Sequence, residues 1–326
     1  MKKRHLYTDL ALEAAETLGL HEADCGIDGV ELDVSDCYGS KTTWVRITSK
    51  AGAEAMGKPI GNYVTFEDDG LKEPDAEAHE KIIKALAENL VKLRKINSSA
   101  PILVVGLGNK DVTPDALGPK VVSKTLVTRH IIDTLKKSDG RLRPVCAITP
   151  GVMGITGIET GEIIKGVADR VEPELIIAID ALAARRANRV NATIQMCDTG
   201  VNPGAGVGNK RMALNEEYLG APVLAIGVPT VVDAATLVND TMDLMLESMK
   251  KELPEGSEFF EMLAELEAED KYCLVKNVLE PYIGTMFVTP KNVDAVIDRL
   301  SNIIANSINI ALHPGIDASD INRYMY

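Results

Sequence analysis

The stretch Ile102-Leu103-Val104-Val105-Gly106-Leu107-Gly108 decides the fold. Its apolar run has no polar alternation, which describes a strand buried on both faces of a helix-covered parallel sheet. A turn follows, and then Pro114-Asp115-Ala116-Leu117. The pattern returns at Leu175-Ile176-Ile177-Ala178-Ile179, which runs into Asp180-Ala181-Leu182. Further apolar runs stand at 145–148 and 223–226, and helical patterns lie around 114–136, 159–171 and 234–251. This β-α alternation predicts an α/β fold with a doubly wound, mostly parallel sheet. An acid at the carboxyl end of such a strand lies where open α/β sheets place their chemistry.

Outward from this core the patterns change. Residues 30–67 read as β, with Val30, Leu32 and Val34 alternating with acids and an apolar return at Trp44 to Ile47. Residues 8–19 read as a short helix capped by Thr8 or Asp9. Residues 75–95 carry the stripe Ile82, Ile83, Leu86, Leu90, Leu93 of an amphipathic helix. Val190, Ala192, Ile194 and Met196 alternate as a strand over 190–197. The segment 252–282 is charged and helical, and Thr289-Pro290 opens a last helix through Val293, Val296, Ile297, Leu300, Ile303 and Ile304. The plan is one domain: a β-rich N-terminal addition over about 28–70, an α/β core over about 75–250 and a C-terminal helical segment over about 252–312.

The chain has 326 residues and is 45% hydrophobic, enough for a sizeable core. Only 4% is aromatic, so Val, Ile, Leu and Ala must fill that core. A net charge of −13 argues against direct nucleic acid binding, which needs clustered Lys and Arg. The same charge suits a basic protein substrate, or serves solubility alone. No apolar run approaches the roughly 20 residues of a membrane helix. Glu13 and Glu16 interrupt any signal-peptide core after the basic N-terminus, so a cytoplasmic protein is expected. Cys25, Cys37, Cys146, Cys197 and Cys273 show no C-x-x-C spacing and read as reduced thiols. His5, His21, His79, His130 and His313 form no H-x-x-x-H metal pattern, and no cofactor is expected.

Several motifs have both an ordinary and a functional reading. Gly106-Leu107-Gly108-Asn109-Lys110-Asp111 departs from a dinucleotide fingerprint, because Asp111 stands where a third Gly or Ala is needed. No G-x-S-x-G elbow is present. Gly151-Val152-Met153-Gly154-Ile155-Thr156-Gly157 offers backbone N–H groups to an oxyanion, or is a tight turn. Asp115 follows Pro114, so the dipole of a helix start is sufficient reason for it. Asp180 is harder to dismiss, since a carboxylate ending a buried strand is costly unless solvated, paired or used. If the two strands are neighbours, the two acids share a crevice and one holds a proton. Such a pair activates water with one member and protonates a leaving amine with the other.

The motifs around these acids resemble the spore germination protease family. The resemblance lies in Val104 to Asn109, Val112 to Pro119, Thr149 to Thr160, Ile177 to Arg185, Gly206 to Arg211 and Ile226 to Ala234, six long motifs in order. It extends from about residue 7 to the C-terminal helix. It implies an endopeptidase that initiates degradation of small acid-soluble spore proteins during germination. It also implies a homotetramer, an α/β core related to hydrogenase-maturation endopeptidases, and a location in the forespore and spore core. The chemistry implied is an atypical, metal-independent aspartic type whose two catalytic aspartates match Asp115 and Asp180.

The family is made as a zymogen that removes its own propeptide, and it cuts after an acidic residue that precedes an apolar residue and then Ala. Tyr7-Thr8-Asp9-Leu10-Ala11 offers that pattern, so residues 1–9 are the expected propeptide and 10–326 the peptidase domain. Arg185, Lys210 and Arg211 are candidates for attracting the acid before the cut. The chain departs from the family in its short propeptide, in Lys110-Asp111 for a Trp-Asn pair, and in a short 250–272 region. Two other readings stand beside this one: a metallopeptidase with the carboxylates as metal ligands, and a non-enzymatic binder of spore proteins.

Overall fold

The computed structural model of the protein describes residues 8–20, 26–96, 100–135, 140–204, 211–252, 268–317 and 320. Helix α1 (Ala11–Thr17) leads to strands β1 (Val30–Cys37) and β2 (Ser40–Ile47), helix α2 (Lys50–Met56) and strand β3 (Gly61–Glu67). Helix α3 (Ala76–Leu93) precedes β4 (Ile102–Gly106), α4 (Leu117–Lys124), α5 (Arg129–Leu135) and β5 (Val145–Ile148). The short α6 (Met153–Thr156) and α7 (Thr160–Val171) lead to β6 (Leu175–Ala184), β7 (Thr193–Cys197), α8 (Glu216–Leu219) and β8 (Val223–Asp233). Helices α9 (Ala234–Glu252) and α10 (Ala268–Ile283), strand β9 (Phe287–Val288) and helix α11 (Val293–Leu312) complete the described order.

The strands form one sheet in the order β1-β2-β3-β7-β8-β6-β4-β5, with β9 on β8. Only the β8-β6-β4-β5 portion is parallel. The sheet is therefore mixed, not mostly parallel as the apolar runs predict. The reason lies in long-range pairing. β3 joins β7 antiparallel, with Phe66 opposite Ile194, so the β-rich addition continues the core sheet and does not stand apart from it.

Helices cover both faces of the parallel portion. Ile102, Val104, Leu175, Ile177 and Ile179 pack with α3, α4 and α11 through Leu86, Leu117, Ile297 and Ile304. The intervening Leu103, Val105, Ile176 and Ala178 pack on the other face with Ile164 and Ala168 of α7. Both parities are buried, which is why these strands carry no polar alternation. Helix α2 interrupts the stretch 30–67 that reads as β. It starts where the Ser49 hydroxyl accepts the Gly52 N–H at 3.0 Å, and it ends at Gly57 in the left-handed region, φ 61°.

From β4 the chain moves to β5 on one side, then crosses to β6 and β8 on the other. The winding reverses between β4 and β6, and a crevice at the carboxyl ends of strands is expected at such a switch point. Glycines let α4 close on it. A Cβ on Gly118 would lie 2.3 Å from the Leu107 carbonyl oxygen and 2.7 Å from that of Ile179, both backbone atoms. Gly118→Ala is thus expected to lose about 3 kcal/mol in denaturant unfolding, the upper range for overpacking. An unchanged midpoint would contradict so tight a closure.

Candidate active site

Asp180 sits in β6 immediately beyond the last residue paired with β4, since Gly106 pairs with Ile179. From there β6 runs on against β8 alone, and its ladder shifts register between Leu182 and Ala183. Alternate N–H groups of a strand point to one edge. Here the freed edge meets carboxylates in series. The Ala181 N–H donates to Asp180 at 3.0 Å, the Ala183 N–H to Asp9 at 3.1 Å and the Arg185 N–H to Glu13 at 3.0 Å.

Asp115 enters the same crevice from the turn after β4. It does not stand in the first turn of an α-helix as Pro114 suggests. Thr113–Asp115 form a 3₁₀ turn ahead of α4. Its carboxylate accepts the Asn109 N–H at 2.7 Å. Gly108, at φ +106°, makes room, since a Cβ there would lie 2.1 Å from the Asp115 carbonyl oxygen. Gly108 therefore serves the approach of Asp115. The Gly151–Gly157 loop also uses its own donors: the N–H groups of Ile155, Thr156 and Gly157 bond the carbonyls of Val152 and Met153.

The two acids are within electrostatic reach of one another. Asp180 is 6% exposed, and burial pushes its carboxyl well above the ordinary carboxylate range. The charges of Asp115 and Asp9 push in the same direction, against the Ala181 N–H. Asp115 is half-buried; burial raises its pKa, while the Asn109 N–H and Arg211 oppose the rise. Asp180, the deepest member, ionises last and holds a proton most readily.

Asp9 does not cap α1. Leu10 is the N-cap residue and provides no side-chain bond. The Asp9 side chain goes instead to Ala183, and burial raises its pKa despite the nearby ammonium of Lys58. The Asp9 carbonyl oxygen accepts from Lys58 Nζ at 2.9 Å and from Gln195 Nε2 at 3.0 Å. Leu10 and Ala11 are fully buried. Glu13, 1% exposed, accepts the backbone N–H groups of Arg185 and Arg186, each at 3.0 Å, and the Thr8 hydroxyl. Arg189 fastens this segment from behind, with ion pairs to Glu13 at 3.5 Å, Glu16 at 2.6 Å and Glu67 at 3.0 Å.

The basic candidates separate. The Arg185 guanidinium bonds Thr17, and only its backbone N–H faces the acids. Arg211 pairs with Glu159 at 3.6 Å and partly offsets the rise in the Asp115 pKa. Lys210 lies outside the described residues, as do Gly206 to Asn209 of the same motif. Among the described residues there is no group of three or more His, Cys, Asp or Glu able to hold a metal ion. Nor is any described helix long and apolar enough to cross a membrane.

Comparison with known proteins identifies the family. A family model described as germination protease matches residues 8–264 and 255–325. The chain belongs to the germination protease family. The germination protease of Clostridium tetani is 51% identical over 320 residues, covering 98% of each chain. That of Clostridium acetobutylicum is 48% identical over 322 residues, again with 98% of each covered. That of Bacillus cytotoxicus is 42% identical across all of this chain and 98% of the relative. As a germination protease family member the chain is a peptidase with protein substrates.

Lys58, Gln195 and Arg189 carry no sequence signal of their own. Lys58 follows a helix-ending glycine, and Gln195 occupies an ordinary polar slot of an alternating strand. Their partners lie 49, 186 and up to 176 positions away.

Proposed function

We propose that this peptidase is an endopeptidase that initiates degradation of small acid-soluble spore proteins, acting in the forespore and spore core. Asp115 and Asp180 share one proton, activate a water molecule and protonate the leaving amine. The protein is made as a zymogen and cuts itself between Asp9 and Leu10. The observation carrying this reading is the convergence at the switch point of Asp115 and Asp180, with the Asp9 carboxylate on the adjacent freed edge of β6. The acid-Leu-Ala sequence is held there as a substrate would be, with Leu10 and Ala11 buried. A backbone N–H, that of Ala183, then recognises the acid before the cut, in the place the sequence suggests for Arg185, Lys210 or Arg211.

A homotetramer fits the exposed apolar side chains of α9 and α10. Leu244, Met245, Val278 and Tyr282 are 65%, 58%, 61% and 85% exposed, a surface suited to burial between copies.

The test uses the full-length protein at mild acidity. Its mass is expected to fall by residues 1–9, and the product is expected to cut a Thr-Glu-Phe-Ala peptide between Glu and Phe. A chelator is expected to change neither result. Intact mass together with an uncut peptide would refute the reading, and metal-reversible loss with chelator would replace it with a metallopeptidase.

A further inference from the structure

The carbonyl oxygen of Asp9 accepts hydrogen bonds from two side chains distant in sequence. Lys58 Nζ reaches its oxygen at 2.9 Å and also donates to the Thr8 carbonyl at 2.9 Å. Gln195 Nε2 reaches the same oxygen at 3.0 Å. The other end of that amide, Gln195 Oε1, accepts the Ala11 N–H at 2.6 Å. Gln195 therefore spans the Asp9–Leu10 bond as a neighbouring strand would, donating before it and accepting after it. The pair is built into rigid parts of the fold: Lys58 leaves the glycine end of α2, and Gln195, 7% exposed, lies in β7 opposite Gly227 of β8.

We infer that Lys58 and Gln195 are further catalytic residues, an electrophilic clamp that holds the carbonyl oxygen of the bond to be cut as it becomes an oxyanion. The inference rests on the Asp115–Asp180 reading above and adds to it the groups that receive the developing negative charge. In the addition step, water oxygen bonds to the Asp9 carbonyl carbon. One water proton passes to the ionised carboxylate of the pair. The carbonyl π electrons move onto oxygen, between the ammonium and the amide N–H. On collapse the C–N bond breaks, and the protonated carboxyl gives its proton to the Leu10 nitrogen. The acid pair ends with the single proton it began with, and the products are a carboxylic acid and an amine. A positive charge and a neutral donor, both held before the reaction begins, are suited to this task because they need no reorganisation.

The nearest groups are consistent with the role. Burial lowers the pKa of the Lys58 ammonium, while Asp9, Cys197 and Glu13 restrain that fall. Lys58 is partly buried, has no direct carboxylate bond in the described contacts, and is oriented by two carbonyl oxygens of the segment to be cut.

The test follows self-processing of full-length wild type, Asp180→Asn, Lys58→Met and Gln195→Glu by mass at mild acidity. Exchange protection of the Ala183 amide reports whether Asp9 remains docked. Wild type is expected to lose residues 1–9, and Asp180→Asn to remain intact. Lys58→Met is expected to process about 10²–10³-fold more slowly, the range for loss of one oxyanion donor, with Ala183 still protected. Gln195→Glu keeps the acceptor for Ala11 and loses the donor to Asp9; it is expected to slow in the same way, and it decides the matter if Lys58→Met does not fold. Processing of the folded variants within tenfold of wild type overturns the clamp while the Asp115–Asp180 reading stands. Slow processing with Ala183 unprotected also overturns it, since the residues then only hold the segment. A wild type that never cuts after Asp9 overturns the clamp; if it also leaves the Thr-Glu-Phe-Ala peptide uncut, the Asp115–Asp180 reading falls with it.

Discussion

Asp180→Asn is expected to lose peptide cleavage by about 10³-fold or more while becoming more stable at neutral pH. Both effects have one cause. Burial and the charges of Asp115 and Asp9 hold the Asp180 carboxyl well above its unfolded value. Between the unfolded and folded pKa the native state binds the extra proton, so stability falls as pH rises through that interval. Asn keeps an oxygen for the Ala181 N–H and cannot ionise. The variant's gain in Tm is therefore expected to be absent well below the unfolded pKa of about 3.9, where Asp is protonated in both states, and to open as pH rises through it. The groups facing Asp180 in this titration are Asp115, Asp9 and, beyond them, Arg211 and Lys58. Thermal unfolding across pH and a peptide assay on the same preparation check both limbs. Cleavage within tenfold of wild type would remove Asp180 from the chemistry, and a pH-independent difference in Tm would remove the electrostatic account.

Arg189→Met is expected to cost about 3 kcal/mol in unfolding free energy, toward the lower end for breaking a buried ion pair by removing one partner. The guanidinium is 6% exposed and serves Glu13, Glu16 and Glu67, whose side chains are 1%, 25% and 22% exposed. The partial exposure of Glu16 and Glu67 lets water take up part of the loss; the burial of Glu13 does not. Because these acids belong to α1 and β3, the same change loosens the segment that presents Asp9. Faster amide exchange over residues 8–17 is expected together with the lower stability. Arg189→Lys is expected to recover only part, since one ammonium cannot replace a planar fork directed at several carboxylates. Full stability in Arg189→Met would show that the three acids find other partners.

The legible parts of the fold are those where short-range pattern and long-range packing coincide. β4 and β6 announce themselves because both faces are buried, and α11 because its stripe meets α3 and α4. Asp180 is legible as an acid where a buried run ends. Asp9 misleads for the opposite reason: an Asp before an apolar periodic stretch is a good local cap, yet Ala183 takes its carboxylate from 174 positions away. The mixed sheet escapes because nothing within 61–67 or 193–197 specifies that these stretches pair. α2 escapes because a short, Ala- and Gly-rich helix leaves little periodic signal between two strands. The crevice is therefore foreseen as two acids, while the strand edge and cations that complete it emerge only from the tertiary arrangement.

The way β6 outruns β4 has an electrostatic consequence for the self-processing proposed above. Glu13 is tied to Arg185, Arg186 and Arg189, so a cut after Asp9 frees the upstream piece and leaves Leu10 tethered beside the crevice. The Asp9 carboxylate departs, and a new α-amine appears, protonated below about pH 8. An anion that raises the proton affinity of Asp180 is thereby exchanged for a cation that lowers it. The proposed first cut thus reverses the sign of the contribution from this position while that of Asp115 stays, and the working pH range of the processed protein is expected to lie below that of its own activation.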